Sequence, residues 1–294
     1  LKQFFADFSK LIKFRLTFVV VFSASIAFLI GSKQHGTINW LNWLILIAGG
    51  FLVTGAANCF NELIEKDLDK LMTRTKDRPM PAGRMTNGQG LVSGLLMGML
   101  GTWLLGKLNI ETGLLSVFSI LLYAFAYTPL KQKSPIAVFV GAIPGALPPL
   151  IGYLAAMGDF KDFTDADYQI AVILFFIQFV WQFPHFWSIA WVLDDDYKKA
   201  GFRLLPTTRR DKASAAFVLF SALLLIPVSL LPNFYGFGGY FIGGASLLAG
   251  LYFAWLSFRL FRNLELADAR KVMFFSFFYL PLVQLVLLFD FIAK

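Results

Sequence analysis

Between Asn58 and Arg84, five acidic and six basic side chains follow directly on an apolar run. Asn61, Glu65 and Asp69 recur at intervals of four, so a helix carried through them lines three oxygen-bearing side chains along one face within about 12 Å. Such ligands suit Mg2+, which takes one or two carboxylates and completes its shell with substrate phosphate and water. Glu62 and Asp67 fall elsewhere on the wheel and read as solvated. A charged helix end laced with Glu–Lys pairs is the other reading of this spacing. Arg74, Lys76 and Arg78 weigh against it, because Pro79, Pro81 and Gly83 impose a turn that folds these cations back over the acids. Guanidinium forks bind phosphate oxygens in pairs.

A second segment repeats the chemistry. Asp194, Asp195 and Asp196 are followed by Tyr197, Lys198, Lys199 and Arg203. Three consecutive aspartates repel one another unless a cation is present. Asp194 and Asp196 lie about 200° apart on an ideal helix, so both reach one site only where the helix ends. An acidic solvated cap is the alternative. Tyr127, Lys131 and Lys133 form a third polar group.

These charges sit in a chain that is 57% hydrophobic and 17% aromatic with only 15% charged residues. A soluble globule of 294 residues cannot hide that much apolar surface. Spanning a hydrocarbon core of about 30 Å takes about 20 apolar residues. Nine runs are long enough, at 14–31, 41–60, 90–108, 112–129, 136–156, 170–191, 214–231, 240–260 and 272–291. Strand-like alternation is absent, so the backbone must be satisfied within helices. The expected fold is all-α, a single membrane domain over 1–294 with nine transmembrane helices around a central cavity.

The loops test this reading. Of 26 Lys and Arg residues, all but Lys33, Lys107, Lys161 and Lys294 fall on the N-terminal side of the predicted membrane, which the positive-inside rule makes cytoplasmic. The net charge of +8 follows from that topology and from anionic lipid, and gives little support to nucleic-acid binding. Cys59 is the single cysteine, which excludes an intrachain disulfide and a cysteine metal cluster; packing is its expected role. The Gly141, Gly145, Pro148, Pro149 and Gly152 run reads either as a broken helix or, preferably, as small-residue packing. His35 reads as a solvent-facing residue of a short outer loop.

Asn61, Glu65 and Asp69, followed by Arg74, Thr75, Arg78 and Pro79, resemble the first signature of the UbiA-type intramembrane prenyltransferase superfamily, with Glu65 in place of the commoner aspartate. Asp194, Asp195 and Asp196 resemble its second, with Val192 where many relatives carry a further aspartate. Within the superfamily, YTPLKQKSP (127–135), GAIPGALPPLIGYLAA (141–156), QFPHFWSIAW (182–191) and DDYKKAGFRLLP (195–206) resemble the branch that farnesylates protoheme IX. That resemblance implies transfer from farnesyl diphosphate to the 2-vinyl group of heme B, with water, giving heme O and diphosphate. It implies Mg2+ held by Asn61, Glu65, Asp69, Asp194 and Asp196, and catalytic roles for Asn61, Glu65, Asp69, Asp195 and Asp196. Arg74, Arg78, Lys131 and Lys198 would bind diphosphate. Contact with downstream heme A synthesis machinery is implied as well. Compactness and the short N-terminus favour a bacterial plasma membrane, with cytoplasmic active-site loops, over the organellar membrane of a chain trimmed of its targeting segment.

His185 lies nine residues before Asp194, about 13 Å deeper at the helical rise. A membrane-buried imidazole is functional by default and heme iron commonly takes histidine, so heme contact stands against a hydrogen-bonded structural role. Two other functions compete with heme farnesylation: prenyl transfer to a quinone precursor or another aromatic, and small-molecule transport. Transport predicts charge near the midplane, whereas the acids here gather at one rim.

Overall fold

A computed structural model describes residues 2–158 and 164–293; Lys161 and Lys294 lie outside them. Among the described residues every regular element is helical. An amphipathic helix α1 (Lys2–Leu11) leads into α2 (Phe14–Gln34), α3 (Trp40–Asp69), α4 (Asn87–Gly106) and α5 (Ile110–Leu121). A π-helical turn, Leu122–Tyr127, joins α5 to α6 (Thr128–Lys133), and α7 (Ala137–Met157), α8 (Asp165–Val192) and the short α9 (Asp194–Lys199) follow. The chain ends with α10 (Lys212–Phe234), α11 (Tyr240–Asn263) and α12 (Leu266–Ala293). Nine of these stretches are long and apolar enough to cross a membrane, counting α5 to α6 as one. They overlap the nine runs expected from hydropathy, one for one.

Side chains mark where the helices begin. Asn39, Thr86, Asn109, Thr164 and Asp211 each accept a backbone N–H in the first turn of the following helix. Such caps contribute about 1 kcal/mol each. The bundle then closes on small residues: a Cβ on Gly152 would overlap the Ala24 carbonyl, and one on Gly101 would come 2.8 Å from the Leu52 Cβ. α7 is continuous through Pro144, Pro148 and Pro149, so its glycines act in packing rather than in a break. Cys59 is fully buried, as its packing role requires.

Polar contacts inside the bundle set helix register. Ser23 donates to Gln178 Oε1 at 2.6 Å, and Gln284 Nε2 donates to both, at 2.7 and 3.1 Å. These three side chains lock α2, α8 and α12 at one depth, where no water can replace a lost partner. At the far end, His35 is exposed, as expected, and also has a partner. Its Nε2 lies 3.0 Å from Asp167 Oδ1, which also accepts from the Tyr153 hydroxyl at 2.9 Å. The exposed imidazole thus pairs with a buried carboxylate.

α3 explains how a membrane helix delivers charge beyond the membrane. Thirty residues span about 45 Å, against a hydrocarbon core of about 30 Å. No glycine or proline interrupts it between Asn61 and Asp69, so its last turns carry the acidic face intact to the rim.

Candidate active site

Asn61, Glu65 and Asp69 are almost fully buried at 1%, 3% and 0% exposure. The helical spacing brings them together as expected. Asn61 Nδ2 donates to Glu65 Oε2 at 2.9 Å and to Thr128 Oγ1 at 3.0 Å. Lys131 Nζ lies 2.5 Å from Glu65 Oε1, and Arg78 donates to Asp69 Oδ2 at 2.6 Å. Asp69 Oδ1 is buried without a hydrogen-bond partner. A buried carboxylate oxygen without a donor is costly, and it is the kind of atom that a cation repays.

The turn does fold the basic run back. Its effect reaches Glu62, which is fully buried and accepts the Met80 amide at 3.0 Å. The reading of Glu62 as solvated is therefore corrected, because the Pro79–Gly83 turn covers the side of α3 that spacing leaves open. Asp67 remains exposed and pairs with Lys70.

Three loops assemble over this face. Asp196 accepts the Thr73 and Arg74 amides at 2.8 and 3.2 Å and pairs with Lys199, whose Nζ also reaches Thr73 Oγ1. Burial alone would raise the Asp196 carboxyl; these donors hold it at about 2. The Arg203 amide donates to the Lys131 carbonyl, and Gln132 donates to that of Ala200. Lys131 lies 4.9 Å and 5.2 Å from the Tyr127 and Phe202 ring centroids, and Arg74 lies 5.9 Å from that of Tyr197. The charged groups thus have aromatic walls.

Other expected members are not gathered. α8 stops at Val192 and α9 restarts at Asp194, which turns the three aspartates in different directions. Asp194 faces Lys198 at 2.6 Å and Arg210 at 3.6 Å, and the Asp195 side chain is 79% exposed and pairs with Arg210. Lys198 is spent on Asp194 and points outward. Among the described residues no three His, Cys, Asp or Glu side chains converge as a ready metal centre. The carboxylates are held by lysine, arginine and amide donors instead. That donor set fits Mg2+ in its phosphate-dependent mode: Asn61, Glu65 and Asp69 would hold it, with Asp196 across the loop.

One member of the site is missing from the sequence reading. Lys13, between α1 and α2, donates to Asn61 Oδ1 at 2.6 Å from a left-handed backbone, φ 49° and ψ 56°. That conformation is uncommon outside glycine and aims the side chain inward. Burial, then the positive Arg78 and Lys131, push the Lys13 ammonium well below the ordinary lysine range. In sequence it is one of three basic residues before α2 and indistinguishable from topological charge.

Beneath the charged vault lies an apolar cavity of about 490 Å3, lined by Asn58, Tyr123, Tyr127, Trp181 and His185 among others. A π turn supplies the two tyrosines, and such turns are frequent at functional sites. His185 is 8% exposed, stacks on Trp181 at 4.4 Å and meets Phe277 edge-on at 5.0 Å. Its Nδ1 lies 2.7 Å from Ser276 Oγ, whose own proton goes to the Met273 carbonyl. With the Ser276 proton on the Met273 carbonyl, Ser276 accepts from His185 Nδ1, and the tautomer that makes this bond carries no proton on Nε2. Metal-ligating imidazoles commonly donate their other ring N–H to such an acceptor.

Known proteins agree with this architecture. The chain is 42% identical to a protoheme IX farnesyltransferase of Cytophaga hutchinsonii over 288 residues, covering 97% of this chain and 98% of that one. It is 41% identical to the protein of the same name from Christiangramia forsetii, covering 97% and 93%. A solved digeranylgeranylglyceryl phosphate synthase superposes with a TM-score of 0.81 at 20% identity over 99% of both chains. A UbiA homologue from Archaeoglobus fulgidus bound to DMAPP and Mg2+ superposes with a TM-score of 0.62 at 13% identity, covering 96% and 99%. The model of the UbiA prenyltransferase family matches residues 20–279, and the chain belongs to that family.

Proposed function

We propose that this protein is a prenyltransferase that joins farnesyl diphosphate to the 2-vinyl group of heme B, with water, to give heme O and diphosphate. The observation that carries the acceptor is His185 on the wall of an apolar chamber, its ring held by Ser276 through Nδ1 and stacked on Trp181. Relatives at 42% and 41% identity bear the name protoheme IX farnesyltransferase. The proposed setting is a bacterial plasma membrane with the vault on the cytoplasmic face, supported by the lysine and arginine distribution. Hand-over to heme A synthesis machinery in the same membrane belongs to this proposal.

When bound at Asn61, Glu65 and Asp69, Mg2+ supplies charge neutralisation for the diphosphate. The chain's own residues do the rest. Arg78 and Lys131 take up the negative charge that grows on the leaving group, Arg74 covers it from the loop, and Lys13 holds Asn61 in place. The allylic C–O bond breaks with its electron pair leaving on diphosphate. The terminal vinyl carbon then gives its π pair to the farnesyl carbon. The cation left next to the macrocycle is captured by water, which loses a proton and becomes the hydroxyl. Tyr127, which lines the chamber and lies 4.9 Å from Lys131, joins the two regions.

The test offers heme B and 4-hydroxybenzoate separately, each with farnesyl diphosphate and Mg2+, and identifies products by mass. Heme O from the first mixture alone is expected. Prenylation of the benzoate alone would end the heme assignment.

A further inference from the structure

The chamber wall is closed everywhere except on one side. Of the residues that line it, the exposed ones are Arg15, Leu16 and Val19 on α2 and Phe277 on α12. The chamber therefore opens between α2 and α12, toward lipid.

Arg15 is the odd member of that mouth. It sits in the first turn of α2, where the helix dipole disfavours a cation, and among the described residues it makes no hydrogen bond or ion pair. Topology explains a positive charge on this face; it does not explain one on the lining of an apolar cavity.

Register places Arg15 level with His185. Ser23 and Gln178 touch at 2.6 Å, and α2 and α8 run in opposite directions through the bundle. Stepping back eight residues from Ser23 to Arg15 moves about 12 Å toward the vault, and stepping forward seven from Gln178 to His185 moves about 10 Å the same way. Asn58 shares this layer through its contacts with the Ile12 carbonyl and Thr17. Arg15 at the mouth, His185 on the wall and Asn58 and Tyr123 on the inner side thus form one tier.

We infer that Arg15 anchors a carboxylate of the acceptor at the mouth and so fixes which edge of the acceptor enters. This deepens the heme reading and rests on it. Heme B carries both propionates on one edge and its vinyl groups on the opposite edge. With a propionate on Arg15 and the iron at His185 Nε2, the vinyl edge leads toward Asn58, Tyr123 and Tyr127, under Asn61 and Glu65. The reverse entry would bury two carboxylates among apolar side chains, which is prohibitive without partners.

The test is a two-by-two titration in detergent, followed by the Soret band. Wild-type protein and Arg15→Gln are each titrated with ferric heme B and with its dimethyl ester, in which the propionates carry no charge. Arg15→Gln is expected to weaken heme B binding by about tenfold or more, the scale of one charge-assisted hydrogen bond, and to leave ester binding unchanged. Equal weakening of both ligands, or no weakening of heme B, would overturn the anchor while leaving the heme reading intact. If wild-type protein binds neither ligand, the heme reading fails and the anchor fails with it.

Discussion

The charged vault and the apolar chamber solve opposite problems a few ångströms apart. In the vault, the buried carboxylates Glu62, Glu65 and Asp69 face Lys13, Arg78 and Lys131, and most of their oxygens already have partners. Such a cluster is held ready at a cost, since desolvated ions must be paired, and its spare capacity is confined to atoms such as Asp69 Oδ1. The chamber has almost no charge, and its capacity lies in one imidazole held by Ser276 through Nδ1. The difference teaches that donor and acceptor are recognised independently: a polyanion by exchange of counter-charges, a flat apolar ring by shape and a single ligand atom.

Changes in the vault should therefore spare the chamber. The largest effect is expected for Asp69→Asn, which keeps the shape of the side chain and removes the charge that a metal needs. Turnover should fall at least about 100-fold with heme affinity unchanged in the same preparation. Lys131→Met should come next, raising the KM for farnesyl diphosphate by about tenfold or more because Glu65 loses its partner and the leaving group a cation. Heme affinity that fell in step with either variant would break the division.

A smaller effect separates the aspartates of α9. Asp196→Ala removes the acceptor of the Thr73 and Arg74 amides, so protease cleavage within 70–85 should speed up and activity drop. Asp195→Ala should cost at least about tenfold less activity than Asp196→Ala, because its carboxylate is exposed and meets only Arg210. Equal losses would restore Asp195 to the site.

The smallest expected effect lies at the rim, where α1 is clamped by Asp7 to Arg84 at 2.9 Å and by Lys10 to Asp77 at 2.7 Å. The hydrogen bond from Gln3 and the neighbouring Arg84 guanidinium hold the Asp7 carboxyl below the usual carboxylate range, against its burial. A lowered folded-state value means that the clamp contributes fully above the unfolded carboxylate value of 3.8 and is lost as pH falls below it. Hydrogen exchange in α1 should be flat from neutral pH down to about 4, after correction for intrinsic rates, and should rise only below that.

Much of this was legible in the sequence for a physical reason: the bilayer demands length and hydropathy from every span, and a helix turns spacing into a face. Asn61, Glu65 and Asp69 needed nothing further. Lys13, Glu62 and Arg15 were not legible, because their roles depend on which helix or turn lies opposite. Lys13 and Arg15 carry the same charge, two residues apart, and only the packing of α2 against α3 on one side and α12 on the other sends one to the vault and the other to the mouth. Asp195 failed in the opposite sense, since a break at Leu193 decides which of three identical neighbours faces in.

The division between vault and chamber is tested most directly by His185→Ala, with ferric heme B binding followed by the Soret band and farnesyl diphosphate binding measured in the presence of Mg2+. Heme affinity should fall about tenfold or more while farnesyl diphosphate affinity stays within about twofold. Unchanged heme affinity, or an equal loss of both ligands, would contradict the account.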